Sequence, residues 1–294
     1  MNKNKALISA FVFSIIIGLS FMFVKIALLF ESQILILAHR FLFAMIPLII
    51  FIGFKKDILK VNLKELLLII IISIFYPIIF FSTQILGLNY TTVTEAGIIQ
   101  AIAPAISIVL AFLLLRERTT KIQIIGVLMS ISGVIILQFM GSRSEIQFNI
   151  LGNILILLSV FATAVYQVFS RKVTQTISSI TVTTYIIIIG FIFFNTLYFT
   201  TNDNPNEYLN TLIEKPEYLF SLLFLGILST FGTSLLSIYA VSQLPIIQVS
   251  VFNNLATLIT VFSGVILLNE TLYLYHIAGF LIIILGVLMV NFKR

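Results

Sequence analysis

Ten apolar runs separated by short polar gaps account for nearly the whole chain: 6–29, 33–53, 64–88, 92–115, 121–140, 148–170, 178–200, 217–241, 245–268 and 273–292. A helix rises 1.5 Å per residue, so a run such as 121–140 reaches about 30 Å, the thickness of a bilayer's hydrocarbon core. With 60% hydrophobic and 10% charged residues and a mean hydropathy of +1.17, the chain has too little polar surface to cover a soluble fold. The expectation is an all-α integral membrane protein of ten transmembrane helices with no large soluble domain.

Basic residues set its orientation. Thirteen of the 17 fall in alternate gaps and at the two ends: Lys3, Lys5, Lys55, Lys56, Lys60, Lys64, Arg116, Arg118, Lys121, Arg171, Lys172, Lys293 and Arg294. The other gaps hold Arg143 and Lys215, while Lys25 and Arg40 lie within helices. Basic flanks resist translocation, so both termini are expected in the cytoplasm. The charge of +6 is then a topology signal, and no nucleic acid is expected as a partner. The first run is longer than a secretory signal and lacks a small-x-small cleavage site, so it reads as helix one. Cysteine is absent, which excludes disulfide and thiol chemistry. Trp is absent too, leaving Tyr90, Tyr198, Tyr208 and Tyr218 for the interfacial belt. The acidic stretch 201–217 reads as a solvated outer loop.

The second half repeats the first. Glu117, Gly126 and Gly133 recur 153 residues later as Glu270, Gly279 and Gly286, with Ala103/Ala256, Leu114/Leu267, Leu115/Leu268 and Val134/Val287 in register. Repeats at 6–140 and 148–292 hold five helices each, an odd number, so the second is expected upside down relative to the first. Inverted repeats supply two nearly equivalent conformations that open a midplane site to each side in turn.

The segments GLSFMFVK (18–25), HRFLFA (39–44), AGIIQAIAPAISIVLAFLLLRER (96–118) and IIGVLMSISGVIIL (124–137), with second copies in LATLITVFSGVILLNETL and HIAGFLIIILGVLMV, resemble the EamA type of the drug/metabolite transporter superfamily. The resemblance covers nearly the whole chain. It implies two inverted five-helix repeats around a central cavity, and movement of amino acids, related metabolites or drugs, often outward. One departure is that Pro104 has Thr257 as its counterpart.

Charges deep in lipid are costly and are usually paired or face water. Lys25, Arg40 and Glu95 are expected at similar depth near the outer face, with Glu95 pairing with Arg40 or Lys25 as a gate and the other cation free for a substrate carboxylate. The alternative is that Lys25 snorkels to the headgroups and Arg40 with Glu95 is structural. Gln100 and Asn253 are equivalent under the offset, as are Glu95 and Gln248, and a substrate cradle is expected around Gln100 and Asn253. Tyr76, Gln84, Tyr166, Gln167, Tyr239 and Asn254 are candidates to extend it, against the alternative of plain interhelical bonding. Pro77 and Pro104 are hinge candidates. Gly126 with Gly133, and Gly279 with Gly286, suit close helix contacts, and Glu117 and Glu270 suit turn capping with the helix that follows. His39 and His276 have no metal-ligand spacing, so neither a metal nor a cofactor is expected; His39 reads as interfacial, the alternative being a proton sensor beside Arg40.

No GxSxG, Asp-rich or Walker A motif is present, so neither an enzyme nor direct ATP drive is expected. The expected function is a secondary, multi-pass transporter in the cell (plasma or inner) membrane that exports amino acids or related metabolites by alternating access. The alternatives are a multidrug or nucleotide/sugar-type metabolite carrier, or a non-transporting receptor or structural membrane protein. The expected partners are a small-molecule substrate and the lipid bilayer, with a homodimer left open.

Overall fold

The computed structural model describes residues 3–54, 56–115, 120–141, 149–202, 207–244 and 246–291, and among them every regular element is a helix. They are α1 (Lys3–Ala27), α2 (Gln33–Phe54), α3 (Leu63–Tyr90), α4 (Val93–Gln100), α5 (Ala103–Leu115), α6 (Lys121–Gly141), α7 (Ile150–Val173), α8 (Ser179–Thr201), α9 (Glu207–Glu214), α10 (Pro216–Gln243), α11 (Ile246–Phe262) and α12 (Leu274–Asn291), with a single 3₁₀ turn at Lys56–Leu59. Polar residues in the short gaps start these helices: Asn62 and Glu65 form a reciprocal capping box, while Thr92, Asn149 and Ser178 accept from the amides of Glu95, Gly152 and Thr181.

Among the described residues seven helices are long and apolar enough to cross a membrane: Asn4–Ala27, Gln33–Phe54, Leu63–Tyr90, Val93–Leu114, Ile150–Val173, Ser179–Thr201 and Pro216–Gln243. The remaining apolar helices, Lys121–Ile136, Leu255–Leu267 and Leu274–Met289, are shorter. Large side chains such as Ile49, Leu63, Leu128 and Leu285 point outward, which is favourable only where the surroundings are apolar.

Helix boundaries carry the duplication further than the sequence match did. Leu63 and Pro216, Tyr90 and Gln243, Val93 and Ile246, and Lys121 and Leu274 are all 153 apart. In α1/α7 and α2/α8 the offset is 146 or 147. The gap between α8 and α10 is longer than that between α2 and α3, and it accommodates α9. Part of the 201–217 stretch, expected as a solvated loop, is therefore a docked helix. Tyr208 is buried, and its hydroxyl donates to Asn195 Oδ1 at 2.6 Å. Burial, then neighbouring Tyr198, pushes this phenol up to about 12, so it remains a donor.

The two halves meet along α6 and α12, which run antiparallel. A Cβ at Gly133 would lie 3.0 Å from Gly279 O, and one at Gly286 only 2.5 Å from Gly126 O. Between them Ser130 Oγ lies 3.4 Å from the carbonyl of Ile283, the residue 153 positions on. Reciprocal contacts of this kind define a pseudo-twofold axis passing between Ser130 and Ile283. The glycines are needed because the backbones touch there.

Several helices are interrupted at mid-length. In α3 a π-helical stretch at Ile74–Ile79 contains Pro77, and Tyr76 has left helical geometry (φ −140°, ψ 109°). In α10 the matching segment, Phe224–Gly232, is also π-helical. The fourth crossing breaks at Ala101–Ile102 between α4 and α5, and Pro104 is the second residue of α5, where its missing amide costs nothing. Its counterpart Thr257 lies in unbroken helix, and α11 widens only afterwards, in a π turn at Ser263–Leu267.

Candidate functional site

A narrow cavity of about 30 Å³ lies at the centre of the bundle, lined by Phe13, Ile17, Tyr76, Phe80, Gln100 and Ala103 from the first half and Thr163, Tyr166, Gln167, Thr233, Ser234, Ser237 and Asn253 from the second. Three symmetry-related pairs face it: Ile17 with Thr163, Phe80 with Thr233, and Gln100 with Asn253. The cavity therefore sits where the two halves meet. The interruptions in α3 and α4 place its lining: Tyr76 projects from the distorted turn beside Pro77, and Gln100 ends α4 just before the break.

Its wall is neutral and partly aromatic. Tyr76 stacks on Tyr166 with ring centroids 4.4 Å apart, and the Tyr76 hydroxyl lies 3.3 Å from Ser234 Oγ. Three buried polar atoms of lining residues, Gln100 Oε1, Thr163 Oγ1 and Tyr166 Oη, make no hydrogen bond of normal length among the described residues, the Tyr166 hydroxyl having only a weak partner in Ser170. Such an atom costs about 1–3 kcal/mol when left unsatisfied.

Two open clefts flank the cavity along α1. One, of about 600 Å³, includes Ser9, Thr174, Ser178, Tyr239 and Gln243. The other, of about 710 Å³, includes Lys25, Asn89, Thr91, Thr92, Asn149 and Glu270. Ser9 and Lys25 are separated by about 24 Å of helix at 1.5 Å per residue, with Phe13 and Ile17 between them. Tyr239 thus belongs to a flanking cleft and not to the central cavity, and Gln84 is buried away from both.

The second cleft is fastened by charges. Lys25 Nζ donates to Leu88 O at 2.7 Å and to Thr91 O at 2.8 Å, placing a cation on the carbonyl end of α3. Glu270 accepts from the amides of Val93 (2.8 Å) and Thr94 (2.7 Å), placing an anion on the amide end of α4. The carboxylate is aimed by Asn269, which takes a left-handed conformation at φ 55°, and by Gly264, where a Cβ would come within 2.6 Å of Glu270 Oε2. Glu270 therefore caps a helix of the other half, not the turn into its own next helix. At the other end of the bundle Arg171, 146 residues after Lys25, donates to Leu244 O at 3.3 Å, and Leu244 is the counterpart of Thr91.

The expected pairing of Glu95 with Arg40 or Lys25 does not form. Glu95 Oε2 accepts from the Thr91 hydroxyl at 2.6 Å, and Oε1 lies 3.5 Å from His276 Nε2. Lys25 does not snorkel either, since both halves of the turn after α3 hold it. Arg40 is fully buried and donates to Thr230 Oγ1 (2.7 Å) and Ser229 Oγ (2.8 Å) in the middle of α10, with its guanidinium 4.1 Å from the Phe81 ring centre. Arg40 is consequently deeper than Lys25, because its long stem reaches inward from α2. It makes no ion pair among the described residues. His39 is buried, with Nε2 2.7 Å from Tyr208 O and Nδ1 2.9 Å from the Tyr218 hydroxyl. Glu117 and the side chains of Gln248 and Asn254 lie outside the described residues.

Phe13, Ile17, Phe80, Thr163, Thr233, Ser234 and Ser237 were not singled out in the sequence.

These features define a helical, multi-pass membrane protein of duplicated halves around a central polar cavity. The profile of the EamA-like transporter family matches residues 4–139 and again residues 150–292, and the chain belongs to that family. It is 36% identical over 291 residues to the uncharacterized transporter YcxC of Bacillus subtilis, covering 98% of this chain and 93% of the relative. An uncharacterized transporter of Archaeoglobus fulgidus is 29% identical over 94% of this chain and 95% of its own length. A crystal structure that is 14% identical superposes with a TM-score of 0.69 over 97% of this chain and 96% of that one, which shows the shared fold.

Proposed function

We propose that the chain is a secondary carrier of the cell membrane that moves a small organic solute by alternating access. On this reading ten helices cross the bilayer as two inverted repeats, residues 6–140 and 148–292, with both termini in the cytoplasm. The basic-residue bias, the matched helix boundaries and the antiparallel α6–α12 seam support that topology. The central cavity is the substrate site, and the observation that carries this is that Gln100, Thr163 and Tyr166, whose buried polar atoms make no hydrogen bond of normal length among the described residues, all line one narrow space. Ligand sites ordinarily span about 300–1,000 Å³, so the cavity has to widen, and the interruptions beside Pro77 and Pro104 are where it flexes.

No charged side chain lines the cavity among the described residues, which favours a solute of zero net charge. Neutral amino acids and related metabolites fit, with amides and hydroxyls on their polar ends and the tyrosine pair beside an apolar one. Export is the direction we favour. The Tyr76–Tyr166 stack also suits a flat ring, so a carrier of nucleoside-type or aromatic drug-like solutes is the second reading. Lys25 with Glu270 acts as a gate, and Arg40 acts from behind the cavity by holding Phe81, which packs on Tyr76 with centroids 5.1 Å apart.

The test is a thermal-shift screen of purified protein against amino acids, nucleosides, sugars and cationic drugs, followed by flux of each stabilising compound in proteoliposomes. A ligand at 100 times its Kd raises stability by about 2.7 kcal/mol. Saturable flux that falls at least about tenfold in Gln100→Ala, the loss expected when a buried hydrogen bond worth about 1.4 kcal/mol is removed, supports the reading. Binding without flux would make the chain a receptor.

A further inference from the structure

We infer that Glu95 and His276 form a proton-binding site that determines whether the open cleft beside Lys25 stays sealed off from the central cavity. The inference deepens the carrier reading above by naming its coupling ion.

Glu95 on α4 and His276 at the start of α12 come from opposite halves, and both are buried. The Tyr273 amide donates to His276 Nδ1 at 3.2 Å. That nitrogen is an acceptor, so the neutral ring carries its proton on Nε2, facing Glu95 Oε1 at 3.5 Å. The exchangeable position is therefore the Glu95 carboxylate. Its other oxygen touches the Thr91 hydroxyl at 2.6 Å, and Thr91 lines the open 710 Å³ cleft, so one hydroxyl separates the carboxylate from aqueous space.

The titratable groups on the elements packed around Glu95 are Lys25 on α1, Tyr90 at the end of α3, Glu270 after α11, and Tyr273, Tyr275 and His276 about the start of α12. From α7 comes neutral Asn153, whose Oδ1 is 2.7 Å from the Thr91 hydroxyl. With His276 neutral and the tyrosines protonated, Lys25, Glu270 and Glu95 together carry a charge of −1. One proton taken from the cleft onto Glu95 brings the group to zero.

A neutral cluster is cheaper to enclose among apolar helices, whereas a net charge favours entry of water. Protonation thus keeps the floor of this cleft sealed from the central cavity and deprotonation loosens the seal, releasing the proton to whichever face is then open. The lever is α4: its eight residues carry Glu95 near one end and the cavity residue Gln100 at the other, so a shift at the proton site moves the cavity wall.

The natural absence of cysteine permits a test that needs no substrate. Ala103→Cys, in the central cavity, and Asn89→Cys, at the mouth of the cleft, are placed singly in the full-length chain in proteoliposomes. Each is alkylated with a membrane-impermeant maleimide, each rate is divided by the thiolate fraction measured for that thiol, and the ratio of the two then reports access alone. The Ala103→Cys/Asn89→Cys ratio is expected to rise at least about fivefold from acid to alkaline pH, the low end of ordinary coupling between two sites. Adding Glu95→Gln, a mimic of the protonated acid, should hold the ratio at its acid value throughout. A flat ratio in the parent, or an unaltered pH response in Glu95→Gln, overturns the inference. Should that variant not fold, His276→Asn replaces it: a displaced pH response supports the site and an unchanged curve refutes it. A chain that shows no flux of any solute can still pass, so failure of the carrier reading is separately visible.

Discussion

At single residues, some polar atoms buried in this bundle are satisfied within the protein, while a few on residues lining the central cavity are not. Tyr208 is of the first kind. Replacing it with Phe removes the hydrogen bond to Asn195 and leaves a buried amide oxygen short of a donor, which should lower unfolding free energy by about 1–3 kcal/mol in thermal melts while leaving flux unchanged. Tyr166 is of the second kind. Tyr166→Phe removes a hydroxyl whose one partner among the described residues is a weak one, Ser170, so its melting temperature should change little while affinity for the solute falls. A loss of stability as large as that of Tyr208→Phe would show that the hydroxyl serves the fold. Gln100 and Asn253 were legible because amides are rare in apolar runs and these two share a repeat position. Thr163 and Thr233 were not, since hydroxyl residues are common in membrane helices and usually bond back to a preceding carbonyl, as Thr257 does to Asn253 O at 3.1 Å.

Among elements, the α6–α12 pair and the α3–α4 turn show two ways of joining the halves. The first is contact between backbones. Gly286→Ala introduces a Cβ 2.5 Å from Gly126 O, and such overpacking should cost about 1–3 kcal/mol, measurable as a lowered thermal midpoint in detergent. The second is charge placed on helix ends. Glu270→Gln removes the anion from the start of α4 and should cost about 0.5–2 kcal/mol, with more frequent opening of the cleft beside Lys25 seen as faster alkylation of Ala103→Cys. The seam was legible in sequence because only glycine fits a backbone crossing, which keeps Gly126, Gly133, Gly279 and Gly286 in register. The charged turn was not. Lys25 and Thr91, Glu270 and Val93, and Glu95 and His276 are remote in sequence, and nothing local indicates which distant helix end a charge will reach. For the same reason the duplication faded toward the first helices: Thr163 stands at the place of Ile17 and Thr233 at that of Phe80, so position is kept while chemistry is not, and before residue 63 the longer gap holding α9 also shifts the register.

For the whole molecule, the testable claim is sidedness. If the repeats are inverted with both ends inside, single cysteines at Lys60 and Lys121 should react with impermeant reagent only from the cytoplasmic face, and one at Asn210 on α9 only from the opposite face. Labelling of Lys60→Cys and Asn210→Cys from the same side would rule out the ten-crossing arrangement. The gross fold was readable from apolar run lengths, since lipid imposes helices of fixed reach. The cavity's lining depended on packing and had to be seen. One consequence follows from Lys25 holding the Thr91 carbonyl and Arg171 holding its counterpart at Leu244. When both mouths are buckled by the same kind of clasp, undoing one while fastening the other leaves the total energy nearly level. A poised balance of that sort needs little to tip it, and a tenfold difference in solute concentration, worth about 1.4 kcal/mol, is enough to set the direction of travel.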